Sequence, residues 1–283
     1  MLTRIARHKY TTAAVAALFH IPPLTLLSTG AGRRDWIAFG VLYLANMFAL
    51  GGAMHRYFAH RAYRTSRAFQ LLMAVLGSVF FADVIGFVGR HRLHHRNSDT
   101  EADVHSPLRG WWQCWVGSLL DDGVPEQVVL ENARDWTRYP ELVWLHRYFF
   151  LPGFATAALT WWFGGYTMFA CAYCLIFLVS FHGPSALNWL GHRGDRRPFD
   201  TGDLSSNSLF LGFVLFGEGW HNNHHQFPNS ARAGLHWYEF DGVYYWLKLL
   251  SWVGLIWDLR QPPAAVEYAF RESAERGESC ALR

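Results

Sequence analysis

The feature that most limits the fold of this chain is a set of four apolar stretches, each about as long as a membrane-spanning helix. A helix needs about 20 apolar residues to cross a bilayer. The stretches cover about 11–29, 35–54, 143–163 and 166–188. Tryptophans lie near several of their predicted ends, where interfacial aromatic residues are common. The sequence therefore predicts an all-α integral membrane protein with four transmembrane helices.

Local signals subdivide these stretches. Pro22 and Pro23 lie inside the first stretch and should kink its helix. Gly164 and Gly165 separate the third stretch from the fourth and predict a turn between them. The apolar fraction is 51%, yet the mean hydropathy is only +0.03, so apolar and polar segments must alternate. This pattern is typical of a polytopic membrane protein with a sizeable aqueous part.

Three further apolar stretches, 68–88, 207–217 and 243–257, are either too short or interrupted by charge. The histidine-rich segments that flank them can act together only from one side of the membrane. Seven independent crossings would separate those segments. We therefore predict that the three stretches lie in the membrane interface as amphipathic elements.

Basic residues indicate the orientation. They precede the first span and follow the second, which favours cytoplasmic termini. Arg33 and Arg34, between these two spans, favour the opposite orientation. We expect a single domain, 1–283, in a bacterial inner membrane. A cytosolic helical cap would cover 55–142 and 189–260, and a charged tail would follow over 261–283. The net charge of +3 is small and spread along the chain, which argues against nucleic-acid binding.

Nine of the 15 histidines fall into four short groups. These are His55 and His60 in "HRYFAH", His91, His94 and His95 in "HRLHH", His192 in "NWLGH", and His221, His224 and His225 in "HNNHH". On a helix, residues spaced i, i+3 and i+4 share one face. Each HxxHH should therefore project three imidazoles from one stripe.

This donor set indicates metal binding. Imidazole is a borderline ligand that suits Fe, Zn, Cu and Ni. A zinc site needs about four ligands, so nine histidines exceed the demand of one metal and fit two metals of higher coordination number. Our hypothesis is a pair of irons at a membrane face, which is an arrangement suited to activating dioxygen.

His55 and His60 are five residues apart, so a regular helix would turn them away from each other. They share a site only if the helix ends there; otherwise they serve two different metals. Asn188, four residues before His192, offers a neutral oxygen to hold a metal-bound water, with a structural amide as the alternative.

Other polar residues near these groups have open roles. Asp99, Glu101 and Asp103 either orient imidazole N–H groups or form a solvated acidic loop. His105 is either a neighbour of the site or a loop residue. The isolated histidines are interpreted as structural or surface residues: His8, His20, His146, His182 and His236.

The histidine motifs resemble those of membrane fatty acid desaturases, in particular the Δ9 acyl-CoA (stearoyl-CoA type) branch. "HRYFAHRAY" is similar to the first box of that branch, "HRLHHRNSDTEADVHSP" to the second and "GEGWHNNHHQFP" to the third. "NWLGH" matches the Asn-x-x-x-His that supplies a further ligand after the last span. The resemblance covers most of the chain, from the second span to "LIWDLR".

The resemblance implies four transmembrane helices under a cytosolic cap that holds two irons. By motif position, the direct ligands would be His55, His60, His91, His94, His95, His192, His221, His224 and His225, and Asn188 would act through a water. With dioxygen and two electrons, such enzymes introduce a cis double bond, here expected at Δ9. The acyl chain would be carried on CoA, acyl-carrier protein or phospholipid. No "HPGG" haem segment is present, so a separate ferredoxin, rubredoxin or cytochrome b5-type donor with its reductase is expected.

Two alternatives remain open at this stage. A fatty acyl or alkyl hydroxylase on the same scaffold begins with the same hydrogen abstraction, and sequence separates the two reactions poorly. A metal-binding membrane transporter would need polar ligands along a path through the membrane. The histidines instead cluster at predicted span ends, which favours an oxidoreductase.

Overall fold

The computed structural model describes residues 9–103, 105–120 and 123–266. His8 and the predicted tail beyond 266 lie outside these residues. The helices are α1 (Lys9–Thr29), α2 (Arg33–Met47), α3 (Arg67–Val79), α4 (Val84–Asn97), α5 (Ser118–Leu120), α6 (Glu126–Asn132), α7 (Pro140–Tyr148), α8 (Phe150–Met168), α9 (Leu175–Leu190), α10 (Leu209–Val214), α11 (His221–Gln226) and α12 (Gly242–Trp252). Strands β1 (Arg64–Thr65) and β2 (Ile256–Trp257) pair antiparallel, with Arg64 opposite Trp257.

Shorter helical turns complete the chain. π-helical segments extend α2 over Phe48–Ala59 and join α8 to α9 over Phe169–Cys174. Another π-helical turn, Gln113–Gly117, precedes α5, and a 3-10 turn covers Pro107–Arg109. The fold class predicted from the sequence, an all-α protein, is confirmed apart from the small two-stranded ribbon.

Two helices of the described chain are long and apolar enough to cross a membrane. They are Arg33–Ala59, with 27 residues, and Phe150–Leu190, with 41 residues. The pair α3 and α4 would form a third candidate if it were one span, but it is bent by 85°. Within α1, Ala14–Thr29 is a shorter apolar helix. Length and composition alone therefore give two or three spans, not four.

The 41-residue helix reverses direction at Gly165, whose φ of 70° and ψ of −170° are not helical. Tyr173 Oη donates a hydrogen bond to the Gly153 carbonyl at 2.7 Å. In a straight helix these residues would lie about 30 Å apart. The two halves therefore run antiparallel, and the turn lies where Gly164 and Gly165 predicted it.

The third predicted stretch, 143–163, is not one continuous helix. It is divided at Phe149 between α7 and α8. Pro152 has no backbone N–H to offer the Tyr148 carbonyl, which makes it suited to the first turn of α8. This proline is the physical reason for the break.

Helix α1 runs antiparallel to the part of the 41-residue helix that follows Gly165 and includes α9. Thr25, near the end of α1, is 2.8 Å from the Tyr166 hydroxyl, whereas His20 contacts His182 at 2.9 Å. The helix continues through the two prolines that were expected to kink it. Buried Phe19 stacks on Phe177 with centroids 4.7 Å apart. The start of α1 therefore lies toward the end of the bundle where α9 ends.

The three stretches predicted to be interfacial form short helices that expose apolar side chains, and their place in the membrane interface stays a prediction. In the first, α3 buries Met73 while Leu72 is exposed, and the chain then bends into α4. Helix α10 exposes Phe213, and α12 exposes Trp252. None of these helices is long enough to cross a bilayer on its own.

Buried contacts fix the end of the π-helical segment Phe48–Ala59 that extends α2. Trp136 Nε1 donates to the Phe58 carbonyl at 2.8 Å, and the Arg61 guanidinium lies 3.8 Å from the centre of the Trp136 ring. Arg61 also pairs with Asp135 at 2.6 Å. These contacts hold the first histidine motif in place against α4 and α6.

Candidate metal centre

The first histidine motif lies where α2 widens into a π-helix. The His60 N–H donates to the His55 carbonyl at 3.2 Å, which is the five-residue spacing of a π-turn. Their rings consequently lie 5.0 Å apart, centroid to centroid. The helix ends at Ala59. The two histidines share one site because the helix both widens and ends there.

The nine predicted histidines converge into two groups. The first group contains His55, His60, His91, His95 and His224, and the second contains His94, His192, His221 and His225. Within each group, one ring nitrogen per residue lies within 4.8 Å of all the others. The groups adjoin, because the His95 and His225 rings stack at 4.4 Å. The structure therefore brings every predicted histidine into one of two neighbouring clusters.

Each HxxHH stripe is shared between the two groups, which the sequence did not predict. Helix α4 gives His91 and His95 to the first group and His94 to the second. Helix α11 does the reverse. It gives His224 to the first group, and His221 and His225 to the second. The i, i+4 pair thus faces one cluster and the intervening residue the other.

Carboxylates contact several of these rings at Nδ1, the nitrogen that does not face the group. His94 Nδ1 is 2.9 Å from Asp103, His192 Nδ1 is 2.7 Å from Asp99, and His225 Nδ1 is 2.6 Å from Asp203. His55 Nδ1 contacts Glu218 in the same way. An ionised carboxylate can only accept, so Nδ1 carries the proton and Nε2 keeps its lone pair. These contacts fix each ring with Nε2 facing its group.

The donor arrangement fits metal ions. His94 Nε2 and His225 Nε2 are buried and have no hydrogen-bond partner among the described residues. His224 Nε2 lies 3.0 Å from both His55 Nε2 and His95 Nε2. So many converging nitrogens cannot all be satisfied by shared protons. Cations bound between them would satisfy these nitrogens.

Glu218 is itself fixed by a buried ion-pair network. Arg56 Nη2 lies 2.9 Å from Glu218 and 2.9 Å from Asp241. Burial by itself would raise the pKa of Glu218, but Arg56 and His55 lower it to about 2. A side chain at Gly51 would meet the Glu218 carboxylate at 2.9 Å. The glycine therefore leaves the space that this carboxylate occupies beside α2.

Several imidazoles of the site are kept neutral by their surroundings. Burial, reinforced by neighbouring imidazoles, lowers the pKa of His60, His221 and His224 well below the usual range. Burial also lowers the pKa of His225 to about 4, although Asp203 opposes the shift. Metal ligands must be deprotonated. At neutral pH these nitrogens are therefore ready to bind a cation.

These pKa shifts predict that the metal-free protein loses stability as the pH falls below about 6.5, the pKa of an exposed histidine. The unfolded chain then takes up protons that the folded chain excludes, at about 1.4 kcal/mol per pH unit for each neutral imidazole. We expect the melting temperature of metal-free protein in detergent to fall between pH 7.5 and 5.5. The Glu218 carboxylate keeps its charge over this range, since its pKa is about 2. An unchanged or rising melting temperature would contradict the neutral-imidazole account.

The other residues that the sequence suggested for the site differ in their contact with the histidine groups. Asn188 is half-buried in the last turn of α9, and its water-mediated role stays a prediction. The His105 ring lies 6.1 Å from that of His94, beside the second group. Of the acidic loop, Asp99 and Asp103 contact histidines, whereas Glu101 is exposed.

The isolated histidines among the described residues lie outside both groups. His146 is buried between Asp83, at 2.8 Å, and Glu126, at 2.9 Å. His236 is buried, with its ring stacked on Tyr238 at 5.0 Å. His20 and His182 pair with each other. Their structural interpretation agrees with these contacts.

Sequence reasoning missed two carboxylates of the site, Asp203 and Glu218. Glu218 lies three residues before His221, inside the third motif, so its position was a usable signal. Asp203 lies in a loop between the third and fourth histidine groups, 11 residues after His192. Its contact with His225 depends on how that loop folds, and no spacing rule indicates it.

Comparison with known proteins agrees with this geometry. A family model described as fatty acid desaturase matches residues 34–250. An acyl-CoA C20 Δ5-desaturase of Anemone leveillei is 33% identical over 246 residues, which cover 86% of this chain and 79% of that protein. An sn-1 stearoyl-lipid 9-desaturase of Anabaena variabilis is 31% identical, covering 78% of this chain and 83% of that protein.

A third relative is named for desaturation at a different carbon of the acyl chain. The chloroplastic palmitoyl-monogalactosyldiacylglycerol Δ7 desaturase of Arabidopsis thaliana is 31% identical, covering 89% of this chain and 69% of that protein. By their names, these relatives differ in both the acyl carrier and the carbon attacked. They therefore support the family and not the Δ9 acyl-CoA branch in particular. With apolar helices, two histidine clusters and these relatives, the chain belongs to the fatty acid desaturase family of membrane oxidoreductases.

Proposed function

We propose that this protein is an oxygen-dependent acyl desaturase that introduces a cis double bond at Δ9 of a long-chain acyl group. The observation that carries the proposal is the pair of neighbouring histidine clusters at the end of apolar helices. The Δ9 position is supported by the likeness of "HRYFAHRAY" to that branch and by the 9-desaturase among the relatives. The acyl carrier is CoA, acyl-carrier protein or phospholipid.

The two groups would each hold one iron ion. His55, His60, His91, His95 and His224 would hold the first, and His94, His192, His221 and His225 the second, with Asn188 acting through a water. An iron pair, when bound, uses dioxygen to remove hydrogen from an unactivated methylene. The chain contributes neutral, oriented nitrogens and a largely buried site that limits contact with water.

The overall reaction needs electrons from outside the chain. One hydrogen leaves each of two adjacent methylenes, and a double bond forms between their carbons. Dioxygen takes up four electrons and four protons to give two waters, with two of the protons coming from the acyl chain and two from solvent. The acyl chain supplies two of these electrons. A separate carrier, a ferredoxin, rubredoxin or cytochrome b5-type protein with its reductase, supplies the other two.

The protein would cross a bacterial inner membrane four times as a single domain, through α1, α2, α8 and α9. The reversal at Gly165 and the antiparallel arrangement of α1 and α9 support this count. The start of α1 and the histidines then lie on the same side, which the basic residues assign to the cytoplasm. The remaining elements would form the cytosolic cap, with the apolar faces of α10 and α12 against lipid.

Lipid analysis of a desaturase-deficient host that expresses this chain tests the proposal. We expect a new cis-monounsaturated fatty acid whose double bond, located by mass spectrometry, lies at carbon 9. A new hydroxylated acid without unsaturation would instead indicate a hydroxylase on this scaffold. Growth without oxygen is the matched control and should leave the host's lipids unchanged.

A further inference from the structure

The two histidine groups differ in the carboxylates behind their rings. In the second group, three of the four rings have an aspartate on Nδ1: Asp99, Asp103 and Asp203. In the first group, the carboxylate contact that the described residues show is the one between His55 and Glu218. The second group is therefore richer in buried acceptors, although it contains one ring fewer.

The two groups also differ in charge compensation. Glu218 is neutralised by Arg56, which approaches it at 2.9 Å. The aspartates behind the second group contact backbone N–H groups and hydroxyls instead. Asp99 accepts from the Leu204 N–H at 2.7 Å, and Asp203 accepts from the Thr201 hydroxyl at 2.6 Å. Asp103 accepts from the backbone N–H groups of Asp99 and His105, each at 3.0 Å.

Among the described residues, these three aspartates pair with histidines of the second group and not with a lysine or arginine. Their negative charges therefore face the second group without a lysine or arginine as ion-pair partner. The first group has one carboxylate, and its charge is shared with Arg56.

Carboxylates in this position strengthen a metal site in two ways. They raise the basicity of the imidazole whose N–H they accept, and they hold its ring in the binding orientation. Removing such a partner typically costs about 10- to 100-fold in metal affinity. Three of them, none paired with a lysine or arginine, should outweigh one additional neutral ring. Counting donor nitrogens alone predicts the opposite, since the first group has five rings and the second has four.

We propose that the two metal positions are unequal, and that the group of His94, His192, His221 and His225 fills first and binds its ion more tightly. Asp99, Asp103 and Asp203 act as its positioning residues, while Glu218 serves the other group. The inference rests on the proposed two-metal function and adds an order of filling to it.

A cobalt titration tests the order. Metal-free full-length protein in detergent, without oxygen, is titrated with Co²⁺ against a chelator of known affinity, and visible absorption reports the coordinated ion. We expect two binding steps that differ at least about tenfold in affinity. Asp203→Asn, which keeps an acceptor oxygen but removes the charge, should weaken the tighter step about tenfold and leave the weaker step unchanged.

Matched variants complete the design. Glu218→Gln should weaken only the looser step, and Asp258→Asn, in an exposed pair with Arg64, should change neither. If Asp203→Asn does not fold, judged by its melting curve, Asp99→Asn provides the same test. The proposed order of filling is overturned if Asp203→Asn or Asp99→Asn weakens the looser binding step, or weakens both steps equally.

Other outcomes separate the inference from the function on which it rests. Two equal steps would overturn the order and leave the two-metal function standing. Fewer than two bound ions would contradict both. Two unequal steps with the expected variant effects, in a protein that forms no unsaturated product, would overturn the desaturase proposal alone.

Discussion

Replacement of His224 by alanine is expected to abolish product formation while the protein still folds. His224 Nε2 lies 3.0 Å from the ring nitrogens of both His55 and His95, so it occupies the middle of the first group. Its removal would delete one proposed metal ligand and disturb two others. We expect at least about a hundredfold loss of unsaturated fatty acid, since even an indirect contact to a metal ligand is worth 10- to 100-fold. The measurement is the fatty acid profile of a desaturase-deficient host.

A histidine outside both groups is the matched control. His182 accepts from Trp115 Nε1 at 2.9 Å and pairs with His20, and glutamine can keep polar contacts there. His182→Gln is expected to retain most of the product. Wild-type unsaturation in the His224→Ala variant, or an equal loss in both variants, would contradict the assignment of His224.

Replacement of Asp241 by alanine is expected to cause the largest loss of stability. Its carboxylate pairs with buried Arg56 at 2.9 Å, caps α12 through the Tyr244 N–H at 2.9 Å, and accepts the Ala233 N–H at 2.7 Å. Breaking a buried ion pair on one side costs about 3–5 kcal/mol, because the other charge is left poorly compensated. In a chain of this size the melting temperature should fall by on the order of 10 °C.

An exposed aspartate gives the control for this change. Asp258 pairs with Arg64 at 3.3 Å, and both side chains are largely in solvent. Such pairs contribute about 0–1 kcal/mol, so Asp258→Ala should leave the melting temperature nearly unchanged. Similar melting temperatures for the two alanine variants would show that the Arg56 network does not support the fold as we describe.

The helical segments and the site histidines were predictable because each is determined locally. Apolar length predicts where α2 and α9 lie, and the glycine pair predicts the reversal at Gly165. Similarly, HxxHH spacing on a helix places imidazoles on one side. Length cannot predict a break such as the one before Pro152, because that depends on one missing N–H within an otherwise apolar run.

The local sequence does not predict how the His55 and His60 rings are placed relative to each other. A spacing of five is unfavourable on a regular helix, and the sequence left two explanations open. The observed π-helical turn, closed by the His60 N–H on the His55 carbonyl, makes the same spacing favourable. Nothing in the composition of Phe48–Ala59 requires that wider turn. Packing against the rest of the site selects it.

The carboxylates of the site were only partly predictable. Asp99 and Asp103 follow the second motif closely and were candidates, whereas Asp203 lies between two motifs and belongs to neither. Asp99 adopts a positive φ of 58°, a conformation that aspartate tolerates better than most residues. The loop folds back there, and Asp99 reaches His192 at 2.7 Å. Contacts of this kind depend on tertiary structure, which the pattern of residues does not encode locally.

We propose that the two clusters of histidines hold two irons. The most direct test is the iron content per chain of protein purified from iron-replete cells, determined by mass spectrometry against protein concentration. We expect about two irons per chain, one for each group of rings. Less than one iron per chain, with the protein folded and its histidines intact, would contradict the claim.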